Sequence, residues 1–403
     1  MSDAAGSGGS ETGFDIVIAG AGPAGLCLAA ALESRRLRLA LIDRQPLASL
    51  ADPAFDGREI ALTHASVHSL KAMRIWPRIE ADEVAPISDV RVFNGASRRA
   101  MHIDHLDGGA GELGYLVPNH LIRRAAYETV RQMDQVTLFA DTSVSEVRTE
   151  PAGVRVWLSD GRVLRAPLLV AADGRFSEIR RTAGIAARSR DFGKTMLVCR
   201  MEHEKPHGQI ATEWFDHGQT LALLPLNGNQ SSAVITVSAS EARRLRDLEA
   251  ADFNIEVERR YRGRLGWMRR TSAVFAYPLV AVRADRFTGP RLALVGDAAV
   301  GMHPVTAHGF NLGLRGTVRL ARELDRAAFG RRDIGAQGVL AAYERSHRRA
   351  ALPLYAATNA IVGLYTDERL AARLARQALV RIGDRVRPLK RALANSLTQA
   401  CAS

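Results

Sequence analysis

Three glycines near the N-terminus have the spacing that lets a backbone wrap a phosphate. Gly20-Ala21-Gly22-Pro23-Ala24-Gly25 follows the apolar run Phe14 to Ala19 and opens the leucine- and alanine-rich stretch Leu26 to Ser34. A second apolar run, Leu37 to Ile42, ends at Asp43. The order reads as strand, tight turn, helix, strand, with an acid 18 residues past the third glycine (43 minus 25). Gly20 permits the turn, Gly22 admits a pyrophosphate to backbone N–H groups, Gly25 lets the helix approach the strand, and Asp43 can accept hydrogen bonds from a ribose. Alone, the spacing does not tell one dinucleotide from another.

Two later clusters have the same strand-then-acid character. Val170-Ala171-Ala172-Asp173-Gly174-Arg175-Phe176-Ser177-Glu178-Ile179-Arg180 closes an apolar run in mid-chain, and Leu294-Val295-Gly296-Asp297-Ala298-Ala299 closes another late in the chain. Behind the second, the stretch Pro304 to Gly313 leads into a helical run, Asn311 to Arg326. A helix N-terminus carries unpaired N–H groups and about half a positive charge, which suits an electron-rich ring edge.

In this order the three clusters resemble the signatures of the single-component FAD aromatic hydroxylases, from about Phe14 to Asn395. The fold this implies is α/β (α+β overall), that of p-hydroxybenzoate hydroxylase. It has a Rossmann-like FAD-binding domain, an interleaved antiparallel-sheet substrate domain and C-terminal helices. The resemblance implies FAD held at Gly20, Gly22, Ala24, Gly25 and Asp43, with Asp173 and Gly174 alongside. It also implies Asp297 on the ribityl chain, the backbone of Gly309, Phe310, Asn311 and Leu312 along the isoalloxazine, and Pro304 near its reactive face. Arg58, in Asp56-Gly57-Arg58-Glu59-Ile60-Ala61-Leu62, resembles an arginine that approaches the FAD phosphates, and Asn119 a position that touches the cofactor. An arginine on a strand is more often a solvated or salt-bridged surface group, and an asparagine after Pro118 more often a helix cap.

Met302-His303-Pro304 followed by Gly309-Phe310-Asn311-Leu312-Gly313-Leu314-Arg315 narrows the resemblance to the hydroxylases of ubiquinone biosynthesis. Ala307-His308-Gly309, where that branch usually has Gly-Gln-Gly, is similar to the UbiM-type 5-demethoxyubiquinol hydroxylases. The implied reaction takes electrons from NAD(P)H and oxygen from O2, passes through a flavin C4a-hydroperoxide, and hydroxylates the ring of a polyprenyl phenol or quinol. With no second glycine fingerprint, the nicotinamide would bind only transiently. His303 and His308 could relay a proton; hydrogen bonding that fixes the loop is the plainer role. A small soluble aromatic substrate, or a non-catalytic flavoprotein subunit of a biosynthetic complex, remain the alternatives.

The elements that must position these residues read as follows. Strands are expected at Arg58 to Leu62 and Leu168 to Ala172, a hairpin at Val154 to Leu158 and Arg162 to Ala166 on Asp160-Gly161, and further strands at Thr195 to Met201, Thr220 to Leu224, Ala233 to Val237 and Leu292 to Val295. Helices are expected near Ser66 to Met73 and Leu121 to Gln132, as one stretch over Glu241 to Tyr261, and at Gly338 to Arg349. The expected domains are a disordered tail over 1–13, a discontinuous FAD-binding domain over 14–190 and 278–350, a substrate-binding sheet over 191–277 with a contribution from 75–118, and a helical region over 351–403.

The 403 residues include 47% hydrophobic and 24% charged, a composition that excludes disordered, collagenous and integral membrane classes. The net charge of +12 does not mark a nucleic-acid binder. Only Lys71, Lys194, Lys205 and Lys390 are lysines among 55 basic residues, and no zinc-finger or aromatic-interleaved basic pattern accompanies them. Cys27, Cys199 and Cys401 are far apart, giving neither a disulfide framework nor a metal site, so a reducing, cytoplasmic compartment is expected. Met1 to Gly13 lacks the pattern of a signal peptide, and Ala350 to Tyr365, broken by Pro353, is too short to span a bilayer. Asp367 to Asn395 interleaves arginines with Leu and Ile, which fits either a helix lying on the inner face of a membrane or one packed on its own core. Other quinone-biosynthesis proteins and a second copy of the chain are the remaining candidate partners.

Overall fold

Ile16–Ala19, Leu39–Ile42 and Leu168–Ala171 are buried at every position, the pattern of parallel strands covered on both faces. The computed structural model describes residues 11–33, 37–95, 100–104, 111–216, 218–302 and 309–366. In it these strands lie in a six-stranded sheet of order Thr288–Gly289, Leu292–Leu294, Leu168–Ala171, Ile16–Ala19, Leu39–Ile42, Val136–Phe139. All its pairings are parallel except the short antiparallel edge at Thr288–Gly289. Helices Pro23–Ala31, Asn119–Val130 and Gly309–Phe329 pack with it, and Ile16, Ile18, Leu39 and Leu41 are wholly inaccessible. Each such side chain contributes about 1.5–3 kcal/mol by leaving water. The strand order brings the C-terminal ends of Ile16–Ala19, Leu168–Ala171 and Leu292–Leu294, where the three motifs begin, side by side at one edge of the sheet.

The hairpin at Asp160-Gly161 forms between Gly153–Leu158 and Val163–Ala166. Thr12 and Gly13 pair in parallel with Leu164 and Arg165.

A nine-stranded sheet makes the second layer. Its long strand Ala187–His203 pairs with Gln230–Ser238 on one side and Phe275–Ala284 on the other. Gln219–Pro225, Ile210–Asp216, Asp89–Asn94 and Ala100–Asp104 continue it outward. One face, carrying Phe93, Leu197, Trp214, Leu221 and Ile235, is packed in a separate core with Leu245, Phe253 and Val257 from two helices. The sequence suggested a single helix there, but the chain forms Ala239–Arg246 and then Ala250–Arg260. Ser238 caps the first by accepting from the Glu241 N–H, and the break at Asp247 to Glu249 folds the second back so that Arg244 of the first reaches Glu256 of the second at 3.1 Å. The other face of the sheet turns toward the strand and loop around Arg58: Arg200 crosses to Glu59, and the Tyr277 hydroxyl donates to the Asp56 carbonyl at 2.6 Å.

Candidate active site

The three motifs are held together by glycines that another motif needs to be glycine. Gly20 has φ +109°, and a Cβ there would sit 2.4 Å from the Ala172 carbonyl at the head of the mid-chain motif. A Cβ on Gly25 would sit 1.9 Å from the Gly20 carbonyl. Gly296 has φ +58°, and a Cβ there would press on that of Ala24 at 2.8 Å; a Cβ on Gly313 would meet Gly296 at 3.3 Å. The small residues at the start of two helices and the end of three strands therefore close on one cleft.

Gly22 differs from its neighbours. A Cβ there meets nothing within 4 Å, so this side of the turn is open. The helix Pro23–Ala31 starts with proline at its first position, no side-chain cap and no acid in its first turn. Its first N–H groups consequently face the opening without partners. Asp43 pins the turn through Oδ2, which accepts from the Ala21 N–H at 2.7 Å, while Oδ1 accepts from the Gln45 N–H at 2.8 Å on its own loop. Each oxygen keeps a second lone pair for a sugar hydroxyl.

Arg58 lies on the approach to this cleft. Its guanidinium forks onto Asp56, with Nη2 and Oδ2 2.5 Å apart, and stacks 5.6 Å from the centre of the Tyr277 ring. The Asn119 amide donates to the same Oδ2 at 2.8 Å. Burial opposes the charge on Asp56, but the bonds and charge of Arg58 outweigh it and hold the carboxyl below the usual range. Asn119 is the first residue of its helix, with Pro118 at the cap position, so its side chain serves Asp56 and caps nothing.

Two arginines of the mid-chain motif reach the late one. Arg175 Nη2 donates to Asp297 Oδ2 at 3.1 Å, and its side chain fills the space a Cβ on Gly301 would need. Arg180, almost fully buried, donates to the Ala298 carbonyl at 2.9 Å and to the Arg175 carbonyl at 3.2 Å. Asp173 Oδ2 accepts from the Glu178 and Ile179 N–H groups, so it caps the helix Glu178–Thr182, and Gly174 takes φ +88° beside it. Asn311 docks the start of the Gly309–Phe329 helix on the Glu59–Leu62 strand: its amide donates to the Ala61 carbonyl at 2.7 Å and its oxygen accepts from the Thr63 N–H at 3.1 Å. Leu312 is buried beneath it, Phe310 is half-buried, and Gly309 is open around its α-carbon. His303, Pro304 and His308 lie outside the described residues, as does the arginine-rich segment after residue 366.

Residues 13–357 match a family model described as FAD binding domain. The ubiquinone hydroxylase UbiM of Neisseria meningitidis is 44% identical over 388 residues, which cover 95% of this chain and 84% of the relative. The chain belongs to the FAD-binding flavoprotein hydroxylases. The ubiquinone hydroxylase UbiL of Rhodospirillum rubrum is 37% identical, covering 96% of this chain and 89% of its own length. Among solved structures, p-nitrophenol 4-monooxygenase PnpA from Pseudomonas putida DLL-E4 superposes with a TM-score of 0.75 at 18% identity, covering 96% of this chain and 99% of that one. The fold is accordingly that of p-hydroxybenzoate hydroxylase.

The cleft of this flavoprotein fits FAD on its own geometry. The open Gly22 turn and unpaired N–H groups suit a pyrophosphate, and Asp43 suits a ribose. Arg175, Arg180 and Glu59 stand inside the motifs quoted from the sequence without a role there, and Arg200 lies outside them. Arg200 Nη2 lies 2.8 Å from Glu59 Oε1, whose side chain is inaccessible, and burial raises the Glu59 pKa against the pull of Arg200. No local signal links two residues 141 apart. Cys27 and Cys199 are buried, with thiol pKa values pushed up to about 12, so neither is a nucleophile. Among the described residues no helix is long and apolar enough to cross a membrane.

Proposed function

We propose that this flavoenzyme hydroxylates the aromatic ring of a polyprenyl phenol or quinol in ubiquinone biosynthesis, with demethoxyubiquinol its preferred substrate, at the expense of NAD(P)H and O2. The observation that carries the reading is the 44% identity to a ubiquinone hydroxylase across nearly the whole chain, joined to a cleft built from all three motifs. When bound, FAD supplies electron transfer from NAD(P)H and delivery of one oxygen atom of O2 to the ring.

The chain's own residues bind and orient. Gly20, Gly22, Ala24 and Gly25 cradle the pyrophosphate, Asp43 holds the adenosine ribose, and Asp297, fixed by Arg175, holds the ribityl chain. Arg58 exchanges Asp56 for cofactor phosphate. Asp173 and Gly174 shape the loop, through Arg175 and Arg180, that keeps Asp297 in place. Gly309 to Leu312 present a helix start to the ring edge, seated on the Glu59–Leu62 strand by Asn311, while Asn119 holds Asp56 beside Arg58. His303, Pro304 and His308, outside the described residues, are the chain's candidates for the reaction itself. The polyprenyl tail brings the enzyme to the inner face of the membrane as a peripheral protein, with other quinone-biosynthesis proteins as neighbours.

The test is complementation of bacterial strains that each lack one ring hydroxylase of the pathway, with mass analysis of the extracted quinones. Restored quinone in the strain that accumulates the demethoxy intermediate is expected. A well-expressed, yellow protein that rescues none of the strains overturns the assignment.

A further inference from the structure

The sheet face turned toward the cofactor side carries a transverse row of side chains set by the strand register. From the Arg58 loop outward it reads Phe275, Val198, Val234, Ala222, Glu213, Val92, Met101. Phe275 stands against Gly57, where a Cβ would lie 2.5 Å from its ring, and edge-on to Phe55 at 5.6 Å. The row therefore begins at the cofactor approach and runs across the sheet, and six of its seven members are apolar. Glu213 is the exception. It is half-buried, and no hydrogen bond or ion pair meets its carboxyl among the described residues. Val92 and Ala222 flank it on the neighbouring strands, and Ala211 and Phe215 share its face along its own strand. The Tyr261 hydroxyl comes from the opposite side and donates to the Ala222 and Val234 carbonyls; burial first, and the Glu213 charge among its neighbours, raise its pKa.

We propose that Glu213 is the substrate-contacting group that grips the ring hydroxyl of the phenol or quinol. The inference rests on the substrate class proposed above. A carboxyl set half-buried in an apolar row without a protein partner on its own face is open to a ligand that supplies one. Burial pushes the Glu213 pKa up to about 8, so at neutral pH the group holds its proton. A neutral carboxyl donates through one oxygen and accepts through the other, and a ring hydroxyl does both in return. A methoxy oxygen can only accept. Glu213 thus orients the ring by its free hydroxyl and selects against a fully O-methylated ring, while the apolar members of the row cover the ring face and the start of the prenyl tail.

The experiment uses the FAD-loaded protein and two probes, 2-geranylphenol and its O-methyl ether, with dissociation constants read from the perturbation of flavin absorbance. Wild type is expected to bind the phenol about 10- to 100-fold more tightly than the ether, the scale of a buried hydrogen-bonding group left unpaired. Glu213→Leu is expected to abolish that ratio, and Glu213→Gln, which still donates and accepts, to keep it within about threefold. Should the leucine variant not fold, the glutamine variant decides: wild-type affinity for the phenol falls as pH rises through about 8, and the variant's does not. Equal binding of both probes by a wild type that hydroxylates quinols, or an unchanged ratio in Glu213→Leu, overturns the role of Glu213 alone. A yellow wild type that neither binds nor hydroxylates either a phenol or a quinol overturns the substrate reading and this inference with it.

Discussion

Replacing Gly22 with alanine separates the cofactor's needs from the fold's. Gly22 has φ −74° and ψ −179°, open to any residue, and the added methyl meets no atom within 4 Å. The apoprotein is expected to fold as well as wild type, or more stably by about 0.4–1 kcal/mol through a less flexible unfolded chain. The same methyl stands where a pyrophosphate must approach the first N–H groups of the helix. Loss of two hydrogen bonds to a charged oxygen, at roughly 1.5–3 kcal/mol each, weakens FAD binding by about 10²–10⁴-fold. Gly25→Ala is the opposite case. Its methyl would lie 1.9 Å from the Gly20 carbonyl and 3.3 Å from Ile18, neither a flexible side-chain end. The overpacking, about 1–3 kcal/mol or more, outweighs the helix-propensity gain of about 1 kcal/mol. Flavin content at 450 nm, the FAD dissociation constant from fluorescence quenching, and melting of the apoproteins measure the contrast. A Gly22→Ala protein with wild-type FAD affinity would refute the assignment of this turn to phosphate.

Asp56→Ala leaves the Arg58 guanidinium without its counter-charge, so the apoprotein should melt below wild type, and the gap should narrow once FAD phosphate takes the place of Asp56; thermal shifts with and without FAD test this, and an unchanged gap refutes it. Asn311→Ala strands the Ala61 carbonyl and the Thr63 N–H, which should lower stability by about 2–5 kcal/mol in urea unfolding, and Asn311→Asp, unable to donate to Ala61, should rescue little of it; a loss under about 0.5 kcal/mol would contradict the docking role. Glu213 holds its proton to about 8 in the fold and to about 4.5 in the unfolded chain, so its contribution is full below pH 4.5 and is lost as pH rises toward 8. The wild type should therefore lose stability relative to Glu213→Gln across that window, and parallel unfolding free energies from pH 5 to 8 would show that burial does not raise this carboxyl.

The chemistry-bearing glycines were legible because the turn at Gly20, the packing at Gly25 and the loop at Gly296 admit no side chain, and a local requirement leaves a local mark. The sheet strands around them were legible for a similar reason: burial on both faces writes continuous apolar runs such as Leu168–Ala171. The break between Ala239–Arg246 and Ala250–Arg260 was not legible, since neither glycine nor proline marks Asp247 to Glu249 and the turn is made by packing on the sheet. Glu213 was hidden for the opposite reason. In an alternating strand a glutamate reads as the solvated position, and only the register across six further strands and the elements above them turn that face inward. Arg200 and Glu59 were illegible because their pairing exists only once the two layers meet.

The contacts between motifs bear on how the cleft forms. Gly20 leans on Ala172 and Ala24 on Gly296, while Arg180 reaches Ala298, so each motif takes its conformation from another more than a hundred residues away. A turn such as Gly20 to Gly25 can close locally, but the loop at Asp297 cannot take its place until the Leu168–Ala171 strand lies between Ile16–Ala19 and Leu292–Leu294. The loop-closure entropy of joining segments this distant is met before the cleft exists, which delays the site to a late stage of folding. FAD then binds only the completed arrangement, and by mass action stabilises the whole of it at once. Cofactor loss and unfolding should therefore coincide in this protein. Flavin release and loss of helical signal would follow one transition in urea, because no subset of the three motifs retains the geometry that holds the phosphate, the ribose and the ring together.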